Sequence, residues 1–154
     1  MIRFNAVRRV PRPADEVFNV VATRAFENHS KWEDEVVEVR RVTPEPMGVG
    51  SRAVMVREEY GKRREVEYEV TEYEPNRRIA FRHLVSNYTF ELSNDVRELT
   101  STSSEFEVTV LMGVKGMARL LEPLMRLGMS KRGARIMADM ARVAETEPVV
   151  PVQH

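Results

Sequence analysis

The 154-residue chain contains no cysteine, which excludes disulfide bonds, thiolate catalysis and cysteine-ligated metals and suits a reducing compartment. It also lacks net charge. With 24 Lys and Arg against 24 Asp and Glu there is no global field to attract a polyanion, so a partnership with nucleic acid is not expected. No apolar run approaches the roughly 18 residues of a membrane span, and Met1-Ile2-Arg3-Phe4-Asn5 lacks the greasy stretch of a secretion signal. The expectation is a soluble, cytoplasmic protein without stable membrane insertion. G-x-S-x-G, H-E-x-x-H and phosphate-cradling glycine signatures are all missing, so neither a metal nor any other cofactor is expected. Internal repeats and low-complexity segments are absent too. What remains is 42% apolar content, enough for one packed core, and the chain reads as a single domain over 1–147 with a flexible tail at 148–154.

Along the chain, Ile2, Phe4, Ala6 and Val10 share one parity and predict a first strand that Pro11 and Pro13 close. Pro13 followed by Asp15 and Glu16 suits a helix N-terminus, so a short helix is expected at Ala14–Ala22 and a second turn of helix near Phe26. Val36 to Val42 reads as a second strand. Alternation then dominates, most clearly at Glu65-Val66-Glu67-Tyr68-Glu69-Val70, where three carboxylates share one face and three apolar groups the other. Gly61-Lys62 is a plausible hairpin loop. That register sets Met55 opposite Tyr68 and Arg57 opposite Val66, with Arg57 on the apolar side. Further strands are expected at Arg77–Leu84 and Asn87–Leu92, a turn at Ser93-Asn94-Asp95, and a last strand from Glu98 to Val110. Beyond Gly113, Met117, Leu120, Leu121, Leu124 and Leu127, continued by Ile136, Met137 and Met140, predict one long helix over about 115–145. Pro123, Gly128 and Gly133 should bend or weaken it.

This is an α+β order in which about seven antiparallel strands must cover one helix. The opening strand running into Val10-Pro11-Arg12-Pro13-Ala14-Asp15-Glu16-Val17-Phe18, Trp32 ahead of the second strand, Gly48-Val49-Gly50-Ser51-Arg52, Val70 to Arg78, and Phe106-Glu107-Val108 before the helix together resemble the START-like superfamily. This superfamily is also called helix-grip or SRPBCC, and the resemblance is to its polyketide cyclase/dehydrase-like branch. The resemblance spans nearly the whole chain. It implies a curved sheet wrapped around the C-terminal helix, two short helices after the first strand, and a functional cavity between sheet and helix.

Several residues are candidates for lining such a cavity. From the strands and the first loop these are Trp32, Met55, Tyr68, Phe81, Tyr88 and Phe90, and from the helix Met117, Leu121, Leu124 and Met125. Six of nine methionines fall at or near the last helix, where a deformable wall would admit ligands of varied shape, or would simply fill gaps. Residues 100–105 carry hydroxyls or a carboxylate on both parities, so one polar row must face inward. Continuing from Leu99, that row is Ser101, Ser103 and Glu105, although Phe106 and Val108 support the opposite phase. An inward Glu105 needs a partner, and Arg57 is the nearest inferred one; alternatively both reach solvent. Of three histidines, His29 sits in a polar segment and His154 in the tail, whereas His83 shares parity with Ile79 and Phe81. His83 and Glu105 are the candidates for acid–base chemistry, with a purely structural histidine as the alternative. The row Glu65, Glu67, Glu69 reads as a solvated face rather than a cation site, and Glu122 with Arg126 as an i,i+4 pair.

Three functions follow. The first is binding of a hydrophobic or amphipathic small molecule, such as a lipid, isoprenoid or polycyclic compound. The second is a cyclase/dehydratase-type enzyme using acid–base groups of the same cavity. The third is a protein-interaction module, which would call for an exposed apolar patch that the charged outer faces do not suggest. Oligomeric state is not legible.

Overall fold

The computed structural model describes residues 1–151. Strand β1 (Ile2–Val10) leads into helix α1 (Ala14–Phe18), a π-type turn at 19–23, helix α2 (Ala25–Asn28) and a 3₁₀ turn at 29–31. Strands β2 (Val36–Arg41), β3 (Arg52–Glu59), β4 (Lys62–Glu74), β5 (Arg78–His83), β6 (Tyr88–Thr100) and β7 (Ser103–Val114) follow. A 3₁₀ segment over 116–121 then enters helix α3 (Glu122–Thr146). All seven strands form one antiparallel sheet in the order β1-β7-β6-β5-β4-β3-β2. The expected α+β helix-grip architecture is therefore present. Pro13 caps α1 from an extended conformation, and Asp15 and Glu16 occupy its first turn, where the helix dipole favours acids. Pro123 sits in the first turn of α3, a position that needs no amide hydrogen, so it starts the α-helix rather than bending it.

Alternation works as expected in β4, where Val66, Tyr68 and Val70 are buried and the intervening glutamates lie on the outer face. The hairpin before it differs from the sequence reading. Tyr60 and Gly61, with φ of 51° and 74°, make the turn, so Met55 pairs with Val66 and Arg57 with Arg64. Because the slip is by two residues, every side chain keeps its face, and Arg57 remains on the inner side with Met55.

The region after β5 is corrected more deeply. Ser93-Asn94-Asp95 does not turn the chain; β6 runs straight through it. Asn94 is buried and donates to the Val21 carbonyl at 3.4 Å, while Asp95 receives Arg78 at 2.7 Å. The reversal comes later, at Ser101-Thr102, tied by Thr100 Oγ1 to the Ser103 hydroxyl (2.7 Å) and the Thr102 amide (3.2 Å). This turn resets the phase of β7, so Ser104, Phe106, Val108 and Val110 point inward. The expected inward row is thereby overturned. Ser101 lies in the exposed turn, Ser103 is half-buried beside it, and Glu105 lies on the outer side with Arg97 at 2.6 Å and Arg9 at 4.0 Å.

The core fills the space between the inner sheet face, the α1–α2 segment and the C-terminal half of α3. Phe18, Phe106, Met55, Ile79 and Val70 meet Met137, Met140 and Val143 there. Asn19 ties down the segment after α3, donating to the Val150 carbonyl (2.7 Å) and accepting from its amide (3.1 Å). His154, read as part of the tail, lies outside the described residues.

Candidate functional site

At the end of the inner sheet face where β5 gives way to β6, the packing opens. Arg82 points outward to Glu69 at 2.9 Å, so its neighbours Phe81 and His83 point inward. The His83 ring stacks on Phe90, with centroids 4.1 Å apart, and its Nδ1 lies 3.1 Å from the Tyr88 hydroxyl. An open concavity of about 770 Å³ lies along this hairpin, lined by residues 82–91 and not by α3, so it is not the expected cavity between sheet and helix. Burial lowers the His83 pKa to about 4, helped by the positive charges of Arg57 and His29 and opposed by Glu33. The imidazole is therefore neutral at pH 7. Burial likewise raises the Tyr88 hydroxyl, which stays a hydrogen-bond donor.

Behind this corner runs a continuous polar row. The Tyr68 ring meets His83 edge-on at 6.3 Å, and its hydroxyl lies 3.3 Å from His29 Nδ1. His29 Nε2 is 2.7 Å from Glu33 Oε2. In the neutral ring Nε2–H donates to that carboxylate and Nδ1 accepts from Tyr68, and in the charged ring both nitrogens donate. Glu33 Oε1 accepts from Arg57 Nη1 at 2.7 Å and from Arg132 Nη2 at 3.2 Å, and both arginines also donate to Glu59 Oε1. Burial alone would raise the Glu33 carboxyl, but hydrogen bonding and charge from His29, then Arg57, more than reverse this and hold it at about 2. The Tyr68 hydroxyl is pushed upward by burial and by the charges of Glu33 and Glu27, so it acts as a fixed donor rather than a proton acceptor.

Of the residues singled out in the sequence, Arg57, Tyr68, His83, Tyr88 and Phe90 come together along this row. Met55 joins through its sulfur, 3.4 Å from Arg57 Nη1. Trp32 and Phe81 are buried just beneath, Trp32 stacked on His29 and Phe81 against Tyr68. The rest are elsewhere. Met117, Leu121 and Leu124 are exposed, Met125 is half-buried, and Ser101, Ser103 and Glu105 have been placed at the β6–β7 turn and on the outer face. An Arg57–Glu105 pair is ruled out because β4, β5 and β6 separate their strands, a spacing of about 19 Å at the usual inter-strand distance. Glu33, Glu59 and Arg132 take that role instead. Sequence reasoning missed them, and set aside His29, although His29 and Glu33 stand four residues apart across the 3₁₀ turn at 29–31, where one imidazole and one carboxylate meet. Glu122 lies 3.6 Å from the Met1 amine, and its expected pairing with Arg126 does not form.

A curved seven-stranded sheet gripping a C-terminal helix is the helix-grip fold of START-like domains. Within that class, residues 1–145 match the family described as polyketide cyclase / dehydrase and lipid transport, and the chain belongs to it. No curated protein matches the sequence. Among solved structures, an aromatase/cyclase from a Streptomyces species superposes with a TM-score of 0.73 at 14% identity, covering 92% of each chain. A START superfamily protein from Mycobacterium smegmatis gives 0.70 at 16% identity over 93% of this chain and 94% of that one. Norcoclaurine synthase from Thalictrum flavum, solved with dopamine and hydroxybenzaldehyde, gives 0.66 at 12% identity over 92% and 84%. At these identities the likeness is one of fold.

Proposed function

We propose that the domain binds a hydrophobic or amphipathic small molecule, such as a lipid, isoprenoid or polycyclic compound, at the open end of its inner sheet face. The observation that carries this reading is the corner of His83, Tyr88 and Phe90 beside a recess of about 770 Å³. Small-molecule sites combine aromatic walls with a few placed polar groups, as this corner does. Phe90 offers a flat face, while the bonded pair of Tyr88 and neutral His83 leaves the imidazole Nε2 and the phenol oxygen for a ligand without a charge to desolvate. Native mass spectrometry of the purified protein should find a retained apolar compound. Titration with a fluorescent fatty acid should show Kd rising about tenfold in Phe90→Ala, the loss of one aromatic contact. No retained compound together with an unchanged Kd would reject the reading.

A second reading, an enzyme of cyclase type, draws on the same His83–Tyr88 pair. An imidazole titrating near 4 is a weak proton acceptor at pH 7, which favours binding over catalysis. Glu105 lies on the outer face and takes no part. Cyclisation activity lost in His83→Ala while affinity is kept would reverse that preference.

A further inference from the structure

The apolar stripe of the last helix is two stripes. At about 100° per residue, Leu124 and Leu127 stand nearly half a turn around α3 from Ile136, Met137, Met140 and Val143. Because the helix is continuous from Glu122 to Thr146, both sets cannot face the sheet. Met137, Met140 and Val143 are buried, whereas Met117, Leu120, Leu121, Leu124 and Leu127 are 54% to 83% exposed. Rotation of the helix to reverse this is blocked. Arg132 and Arg135 are fixed to Glu33, Glu35 and Glu59, and Gly133 lies so close to β1 that a Cβ there would be 2.6 Å from Phe4 Cζ.

We infer that this exposed stripe is a docking surface for an anionic lipid bilayer. Soluble domains rarely leave contiguous leucines uncovered without a partner. Charge selects the partner. Residues 115–135 carry six basic side chains and one acid in a chain that is neutral overall. Arg132 and Arg135 are consumed by the glutamates, but Arg119, Arg126 and Lys131 have no acidic partner among the described residues and lie in the same stretch of chain as the leucines. A cationic amphipathic segment of this kind lies in the headgroup plane with its apolar side inserted. A second copy of the chain fits poorly, since facing segments would oppose like charges with Glu122 as the one acid between them. The segment also adjoins the recess: Lys115 donates to the Ser86 carbonyl at 3.2 Å, and Val114 pairs with Tyr88. Docking would thus bring the open end of the sheet to the bilayer surface, although the inference stands whether or not the recess takes a ligand.

Flotation with phosphatidylcholine vesicles containing about one-third phosphatidylserine tests it. The protein should float with these vesicles, not with pure phosphatidylcholine, and high salt should release it. Leu124→Glu combined with Leu127→Glu should lower the bound fraction about tenfold or more, and Arg119→Glu with Arg126→Glu about as much. In a separate variant, Leu124→Trp, emission should shift to the blue on adding the anionic vesicles, a readout that needs no loss of binding. Circular dichroism checks that each variant is folded. Absence of flotation with the anionic vesicles, equal flotation of the double-leucine variant, or a dimer that this variant dissolves would each overturn the inference. Ligand titrations are run without vesicles, so failure there leaves this result separate.

Discussion

The two halves of α3 share a sequence character and differ in fate. From Met129 onward the helix presses Ile136, Met137 and Met140 into the core and is anchored by Gly133 against Phe4 and by Arg132 and Arg135 against three glutamates. Before Met129 an equally apolar set of side chains meets solvent. Apolar content therefore does not by itself say which surface a helix buries; the phase of the stripe relative to its anchors does.

The contrast can be broken by mutation, and the largest effect is expected in the packed half. Met137→Ala should cost about 2–5 kcal/mol in urea unfolding, because its side chain is fully buried in the core. Glu33→Gln, which loosens the anchor by removing one of the two carboxylates that hold Arg57 and Arg132, should cost about 2 kcal/mol. The wild-type protein should show the same dependence as pH falls. An unfolded glutamate takes up its proton near 4.5 but Glu33 does so only near 2, so its stabilisation is complete above 4.5 and disappears on descending to 2. His83 acts at higher pH. Its ordinary value of 6.5 drops to about 4 in the fold, so the unfolded chain binds the extra proton between these values and stability falls as pH descends through that window. The loss is up to about 3 kcal/mol, and chemical denaturation of His83→Phe between pH 7 and 4 should show this slope flattened.

Smaller effects sharpen the comparison. Gly133→Ala should destabilise by about 1–3 kcal/mol because the new methyl meets the Phe4 ring, whereas Gly128→Ala meets nothing within 4 Å and should stabilise by up to about 1 kcal/mol through helix propensity. Thermal melts of the two variants should move in opposite directions. Leu124→Ala, at 70% exposure, should change stability by no more than about 0.5 kcal/mol.

Much of the architecture was legible because period-two patterning survives wherever one sheet face is buried. The faces of β3 and β4 were assigned correctly even with the wrong turn, since the register slipped by an even number. The β6–β7 hairpin was not legible. Its polar triplet Ser93-Asn94-Asp95 resembles a turn, but the buried Asn94 satisfies a helix carbonyl that only tertiary structure brings near. The true turn lies within a uniform hydroxyl run that offers no punctuation. His83, Tyr88, Phe90, Tyr68 and Arg57 could be found from parity alone. Arg132 could not, because its meeting with Glu33 and Glu59 depends on how α3 packs, which no local pattern encodes, and Glu33 left only its four-residue spacing from His29. The exposed stripe was hidden for a related reason: apolar spacing continues across Gly128 while its angular phase shifts by about half a turn.

The order of strands also bears on how the chain acquires its shape. Strands β2 to β7 pair with sequence neighbours, but β1 closes the opposite edge against β7, with Asn5 reaching Glu107 and Thr109 across more than 100 residues. Closing so long a loop is entropically expensive and is repaid only when the whole edge zips together. The meander can form progressively, whereas the first strand and the helix resting on it through Phe4 must await the end of the chain. Folding should therefore be slow for a protein of this size, with the N-terminal edge among the last parts to gain protection in pulsed hydrogen exchange.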